Sequence, residues 1–301
     1  MESVDPKLPL AGDSRPERRA RRVRPGLALL ASLVLGLSAP AGVAGPPVPQ
    51  TAEEPLARIL EKADIYCRRL GKSSLHFVCR EKIDERQYNP PLRILSNVVR
   101  GGPPKVTRVV LEYDYQLVGK GESVEEKRVL LRENKQVRNE PDAELKTKLY
   151  KHKFLVFGPG GLFGEYWQPR HAYRLAGEER IGKDEAYVVE ASAPGTPEPD
   201  LIYGKAWVRK KDYAILKIEW DQRCLGNYGQ VLAMARSLGH EAEPRLSVAC
   251  AYGVEKNGIR FPDRLDVREE YWSPRGTFRV SETSVRYDEY RFFIVETEVK
   301  Y

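Results

Sequence analysis

The chain has 301 residues, of which 50 are Lys or Arg and 43 are Asp or Glu, so its formal net charge is +7. Residues 1–45 hold 7 of the cations and 4 of the acids, which leaves 43 cations and 39 acids on the remaining 256 residues. A weak, well-mixed charge argues against the clustered basic face of a nucleic-acid-binding protein. The length suits one large β domain or two small ones, and 31% charged residues argue against a second membrane span.

Residues 18–44 combine the three parts of a secretory signal. Arginines cluster over residues 18–24, an apolar run of 11 residues follows over 27–37, and small residues stand at 42–45. Because a bilayer requires ~20 apolar residues, we predict a cleaved signal over residues 1–45 and a periplasmic protein. Retention as a membrane anchor is the alternative. The first cysteine after the run is Cys67, which argues against lipid attachment.

The Pro-rich segment 46–55 predicts an extended linker, and a single domain is predicted over 56–301. Apolar residues recur every three or four positions from Leu56 to Leu70, which predicts an amphipathic helix that Gly71 caps. Beyond Gly71 the period changes to two, which is typical of antiparallel strands with one buried face.

Two further helices are predicted, over 227–238 and over 141–153, the latter with Leu145, Leu149 and His152 facing inward. Strands are predicted over residues 108–117, 127–137, 172–181, 185–193, 204–210, 214–223, 245–255, 260–272, 277–287 and 291–299. A turn is expected at 119–122, and the pair Asn257-Gly258 is a strong hairpin signal. The pattern predicts a mostly β (α+β) fold built on one large, curved antiparallel sheet.

Residues 154–167 mix apolar side chains with glycines. A phosphate-binding loop would require a Gly-Lys-Ser/Thr ending, which the glycines of this segment lack. Two interpretations remain: a buried loop, or a mobile apolar flap at the mouth of a cavity.

Four cysteines in an exported chain predict two disulfides rather than a metal site. Of the three possible pairings we favour Cys67–Cys79 and Cys224–Cys250. A zinc site is disfavoured because there is no Cys-x-x-Cys pair and His76 is the only nearby imidazole. We therefore predict no metal and no cofactor.

Several segments follow a distinctive order after the leader and the first helix. Gly-Leu-Phe at 161–163 precedes a strand over 173–179, and a second strand follows over 182–190. The hairpin over 205–219 then reads Trp-Val, two charged residues, a turn and Leu-Lys-Ile. In this order the segments resemble the bacterial outer-membrane lipoprotein carrier superfamily, which includes related periplasmic lipid-binding proteins.

The resemblance covers about residues 56–301, except for the cysteine pairs and the helix before Cys250. It implies an unclosed, strongly curved antiparallel β-barrel of roughly ten strands, with about three helices covering an apolar hollow for acyl chains. Such a sheet needs helices or a ligand on its inner face, so the inward residues contact either a ligand or the covering helices. The predicted cavity face comprises Val109, Leu111, Tyr113, Tyr115, Leu162, Phe163, Trp167, Leu216, Ile218 and Trp220.

Catalysis is not predicted. The four histidines stand outside metal-binding and serine-nucleophile motifs, and His171, near the glycine-rich segment, is interpreted as structural. Acidic pairs such as Glu178-Glu179 and Glu269-Glu270 are adjacent in strands, so their side chains point to opposite faces.

The first hypothesis is a periplasmic carrier or binding protein for lipid or an acylated protein, with transient membrane contact. The alternative is an envelope regulator or scaffold of the same fold that binds a protein partner, and a hydrolase is a third hypothesis. An apolar hollow of a few hundred Å³, on the order of known ligand pockets, would support carriage. A filled interior would support a scaffold.

Overall fold

The computed structural model describes residues 53–72, 76–89, 105–120, 123–148, 150–196, 200–238, 242–274 and 276–293. The predicted signal over 1–45 and residues 46–52 of the predicted linker lie outside these residues, so both stay predictions. The first helix begins at Glu53, inside the predicted linker. No helix in the described part of the chain combines the length and apolarity needed to cross a membrane.

The described residues contain three α-helices and thirteen strands. The helices are α1 (Glu53–Lys72), α2 (Gly158–Phe163) and α3 (Tyr228–Leu238). The strands are β1 (Phe77–Asn89), β2 (Lys105–Lys120), β3 (Ser123–Glu133), β4 (Gln136–Glu140), β5 (Ala172–Ile181), β6 (Asp184–Ser192), β7 (Gly204–Arg209), β8 (Ile215–Trp220), β9 (Glu243–Ala251), β10 (Val254–Lys256), β11 (Ile259–Phe261), β12 (Arg264–Ser273) and β13 (Gly276–Phe292).

Eleven strands form one antiparallel sheet in the order β4-β3-β2-β1-β13-β12-β9-β8-β7-β6-β5, with β4 and β5 at its two edges. The predicted mostly β fold with a large, unclosed antiparallel sheet is therefore confirmed. β10 and β11 form a separate two-stranded ribbon. Asn257 and Gly258 join them with φ of 52° and 73°, which is the double positive φ of the predicted tight hairpin turn.

Side chains alternate along the central strands, and one face of the sheet is covered. In β2, Leu111, Tyr113 and Tyr115 are buried while the residues between them are partly exposed. α1 adds Ile59 and Ala63 at helical spacing to the same apolar core. We call this side of the sheet the covered face.

The described residues of segment 141–153 are not helical, which corrects the prediction for this segment. Side chains from Ala143 to Lys148 alternate between buried and exposed, which is the period of an extended chain. Asp142 and Phe154 flank the segment with φ of 48° and 51°. Both values are left-handed and interrupt a right-handed helix.

Other boundaries also shift. Gly71 lies inside α1, which ends at Lys72, and is not a cap. α2 is a short helix within the segment predicted as a loop or flap. The strands predicted over 277–287 and 291–299 are joined in the single strand β13, which ends at Phe292. Residues 294–299 lie outside the described residues.

Candidate functional site: a strap pinned to the sheet

Residues 143–154 run over the covered face without helical structure, and Leu155–Phe157 form a 3-10 turn. We call residues 143–157 the strap, of which residue 149 lies outside the described residues. At its start, Ala143 donates its backbone N–H to the carbonyl of Arg128 in β3 at 2.9 Å. In the next strand, the Tyr113 hydroxyl donates to the Glu144 carbonyl at 3.3 Å and accepts the Lys146 N–H at 3.1 Å. One tyrosine thus satisfies two backbone groups of the strap.

Carboxylates of the sheet hold two further N–H groups of the strap. Glu85 of β1 is 2% exposed and accepts the Lys148 N–H at 3.0 Å. Glu126 of β3 accepts the Phe154 N–H at 2.9 Å. The backbone of the strap is therefore hydrogen-bonded largely by side chains of the sheet, where a β-strand would use a neighbouring backbone.

A buried polar cluster lies beneath the middle of the strap. The His152 side chain points from the strap towards the sheet, and its Nε2 lies 2.7 Å from Glu81 Oε1. The Tyr287 hydroxyl donates to the same carboxylate at 2.8 Å and lies 2.8 Å from His152 Nε2. Arg128 Nε donates to the other oxygen of Glu81 at 2.7 Å. Exposure is 0% for Glu81, 2% for His152 and 7% for Arg128.

Glu126 extends the cluster towards the end of the strap. The Tyr115 hydroxyl donates to Glu126 Oε1 at 2.7 Å, and Arg128 Nη1 lies 3.4 Å from Glu126 Oε2. The Arg128 guanidinium also stands 4.9 Å from the centre of the Tyr115 ring, within the range of a cation–π contact. Arg128 is thus shared between two buried carboxylates.

The environment sets the charge of this cluster. Burial alone raises the pKa of Glu81, but Arg128 and His152 outweigh it and hold that pKa well below its usual range. Burial opposes the charge of Arg128, but Glu81 and Glu126 raise its pKa above the usual value. These shifts hold Glu81 and Arg128 as a buried ion pair.

The interior beside the cluster is filled. A cavity of about 10 Å³ lies there, which suffices for about one water molecule. Its lining residues are Phe77, Tyr115, Glu126, Leu155, Val156, Pro262, Tyr287 and Tyr290. This cavity has room for about one water molecule, and the groups around it serve to position and bury the strap.

α2 continues the strap into the core, where glycines allow close contacts. A Cβ on Gly158 would lie 2.5 Å from the Tyr252 hydroxyl, and a Cβ on Gly161 would lie 2.5 Å from the Ile202 side chain. Leu162 and Phe163 are fully buried. Of residues 154–167, the part from Leu155 to Phe163 follows the buried interpretation, as a 3-10 turn and a short helix, whereas Glu165 and Tyr166 are exposed.

Most residues of the predicted cavity face lie in the main core. Val109 is partly buried, while Leu111, Tyr113 and Tyr115 are at most 5% exposed. Ile218 and Trp220 belong to the same core. Tyr113 and Tyr115 contact the strap or its anchor Glu126, so a ligand-binding role for this face stays a prediction.

Leu216 lies on the other face of the sheet, which corrects the predicted alternation along β8. The pairing of β7 with β8 shifts between Trp207 and Val208, where a β-bulge accommodates one extra residue. Leu216 consequently packs with Ala186 and Trp207 in a separate small cluster. Ile218, beyond the bulge, returns to the covered face.

Trp167 is also not part of the covered face. Its ring makes an edge contact with Tyr166 at 5.0 Å, and the Arg170 guanidinium lies 4.2 Å from the centre of the Tyr166 ring. Tyr166 is 51% exposed, so this group lies at the surface. His171 follows it, with Nδ1 2.9 Å from the Trp167 carbonyl oxygen and Nε2 close to a second backbone carbonyl.

All four cysteines are free, so neither predicted disulfide is present. Cys224 Sγ donates to the Asp221 carbonyl at 3.0 Å, while Cys79 and Cys250 lie beside tyrosine hydroxyls. Burial raises the pKa of each thiol, to about 11 for Cys224. These local contacts engage Cys79, Cys224 and Cys250 separately.

The sequence pattern did not predict the charged members of the cluster. Glu81 and Glu85 occupy inward positions of β1, on the same face of the strand as the apolar residues Cys79 and Ile83. Carboxylates at core positions of an alternating strand are a signal for a buried polar network. The partner Arg128 gave no such signal, because arginine is also common on exposed strand faces.

No family model and no curated protein matches the chain. Among solved structures, a DUF1329 family protein from Desulfovibrio piger is 16% identical, over 81% of this chain and 95% of that one, with a TM-score of 0.39. A domain assigned to outer membrane lipoprotein sorting in Vibrio parahaemolyticus is 11% identical, over 79% and 94%, with a TM-score of 0.32. A chain of the Pseudomonas aeruginosa MucA/MucB complex is 11% identical, over 77% and 99%, with a TM-score of 0.21. The chain is thus similar, at low identity, to solved structures that include a lipoprotein-sorting domain, and at these TM-scores the likeness carries no argument about fold, ligand or partner.

Proposed function

We propose that the protein is a binding protein of the bacterial envelope that acts as a regulator or scaffold by binding a protein partner. The observation that supports this proposal is the filled covered face. Carriage of an acyl chain requires a hollow of a few hundred Å³, whereas the cavity beside the strap measures about 10 Å³. The strap and α2 occupy the space that such a cargo would use.

The burial of the polar cluster also favours binding over catalysis. Glu81 is 0% exposed and His152 is 2% exposed, and each is hydrogen-bonded to other members of the cluster. A general acid or base must come within hydrogen-bond reach of a substrate. The enclosed groups serve better to hold the strap in one place.

Affinity capture from an envelope extract of the native host tests the proposal. The expected result is a protein that elutes with the bait in a fixed ratio in gel filtration and native mass spectrometry, with no stoichiometric lipid. An exported protein of unrelated fold serves as the control bait. Bound lipid at one molecule per chain, without a protein partner, would contradict the proposal.

Carriage of lipid or an acylated protein is the second candidate, and the apolar strap residues favour it. Leu155 and Val156 are 8% and 1% exposed, so displacement of the strap would uncover an apolar surface. Burial of ten methylenes contributes ~8 kcal/mol before the cost of association. Titration with a fluorescent fatty acid tests this candidate: saturable binding to the wild type supports carriage, and its absence favours the regulator or scaffold.

A further inference from the structure

We infer that the covered face is a peptide-binding groove which the strap of the same chain occupies, and that the partner binds by inserting an extended segment in its place. The inference rests on the proposed function and specifies the chemistry of the partner. That segment is an extended chain with one basic or imidazole side chain, followed by two apolar residues.

The anchors of the strap recognise backbone groups. Tyr113 binds one carbonyl and one N–H of the strap, while Glu85 and Glu126 each accept one N–H. The Tyr252 hydroxyl donates to the Leu155 carbonyl at 2.9 Å. Every peptide chain carries such donors and acceptors, so these anchors can hold a segment from another protein. Peptide grooves commonly combine such backbone bonds with a few side-chain pockets.

The pockets of the groove define the side chains that the partner must supply. Glu81, Glu126 and Arg128 form a buried network that His152 completes, with its Nε2 2.7 Å from Glu81 Oε1. A segment that placed an apolar residue at the position of His152 would deprive the buried Glu81 carboxylate of this hydrogen-bond partner, which is unfavourable inside a protein. The next pocket holds the Val156 side chain. Because Val156 is 1% exposed, the partner must place an apolar residue in this pocket.

The strap is suited to be displaced. It lacks the continuous backbone ladder that joins the strands of the sheet, and Phe154 holds a left-handed conformation with φ of 51° and ψ of 36°. A bulky residue in that region is strained. A separate segment can reach the same anchors without this strain, because it need not continue into α2.

A labelled peptide with the sequence of residues 143–157 tests the inference on the full chain. Fluorescence anisotropy should show at least tenfold tighter binding to Val156→Ala, in which the strap has lost part of its apolar anchor, than to the wild type. Lys151→Ala is the matched control, because Lys151 lies in the strap with a 60% exposed side chain. This control should bind like the wild type. A peptide with Ala in place of His152 should bind at least tenfold more weakly than the original.

Hydrogen exchange on the wild type supplies a second measurement that does not depend on a variant. Saturating peptide should speed exchange at the amides of Lys146, Lys148 and Phe154, because the strap leaves its anchors. Unchanged exchange together with no binding to Val156→Ala would overturn the inference, as would equal binding of a scrambled peptide.

Competition separates this inference from the proposed function. If the captured partner is released by the peptide, the groove is its binding site. A partner that stays bound in saturating peptide would overturn the groove while the regulator or scaffold function stands. Peptide binding without any captured partner would support the groove and contradict the proposed function.

Discussion

Replacement of Arg128 with Met should lower the free energy of unfolding by about 3–5 kcal/mol, the usual cost of removing one partner from a buried ion pair. The guanidinium is 7% exposed and lies 2.7 Å from Glu81 and 3.4 Å from Glu126. Methionine keeps most of the apolar stem, so the loss reflects charge more than volume. Urea unfolding followed by circular dichroism should show a midpoint lower by roughly 1–3 M.

Two variants make this measurement decisive. Arg138→Met breaks the contact with Glu133 at 3.1 Å, in which both side chains are partly exposed, and should cost less than ~1 kcal/mol. Glu81→Gln combined with Arg128→Met should recover part of the loss, because one stranded carboxylate is removed. A loss for Arg128→Met no larger than that of Arg138→Met would refute the assignment of a buried, stabilising cluster.

Four further predictions follow from individual residues. The pKa of Glu81 lies below its unfolded value of 4.5, so the contribution of Glu81 to the free energy of unfolding is complete above about pH 4.5 and declines as pH falls further. The stability of Glu81→Gln should therefore depend less on pH in that range. An unchanged pH dependence would contradict this. Gly161→Ala should cost ~1–3 kcal/mol in thermal unfolding, because the added methyl would meet Ile202, whereas Gly160→Ala, with no atom within 4 Å, should cost much less. Ellman's reagent should titrate all four thiols in denaturant but hardly any in the native protein; no thiols in denaturant would indicate the two disulfides. N-terminal sequencing of the exported protein should begin near residue 46, and an intact leader would favour the anchored form.

Local patterns predicted the elements whose conformation depends on neighbouring residues alone. Alternation through Leu111, Tyr113 and Tyr115 predicted β2, because a strand with one buried face requires it. Asn257-Gly258 predicted the turn between β10 and β11, since both residues tolerate positive φ. The amphipathic spacing over α1 similarly predicted a helix packed on a core.

The strap shows where such patterns mislead. Leu145, Leu149 and His152 are spaced like one face of a helix, yet residues 143–148 alternate between buried and exposed as in an extended chain. Side chains of the sheet, among them Tyr113 and Glu85, satisfy its backbone groups and so remove the need for helical hydrogen bonds. A local period carries no information about such distant partners.

The sequence by itself determined that this is a mostly β chain with a large antiparallel sheet, because hydrophobic periodicity and turn residues act over a few positions. Only the tertiary structure decided what covers that sheet. Glu81 and Arg128 are 47 positions apart, and their pairing depends on the register of three strands. The bulge that turns Leu216 away likewise depends on how β7 pairs with β8. The covering of the sheet by the strap and α2 is therefore a property of the assembled fold, since it depends on contacts between elements far apart in the chain.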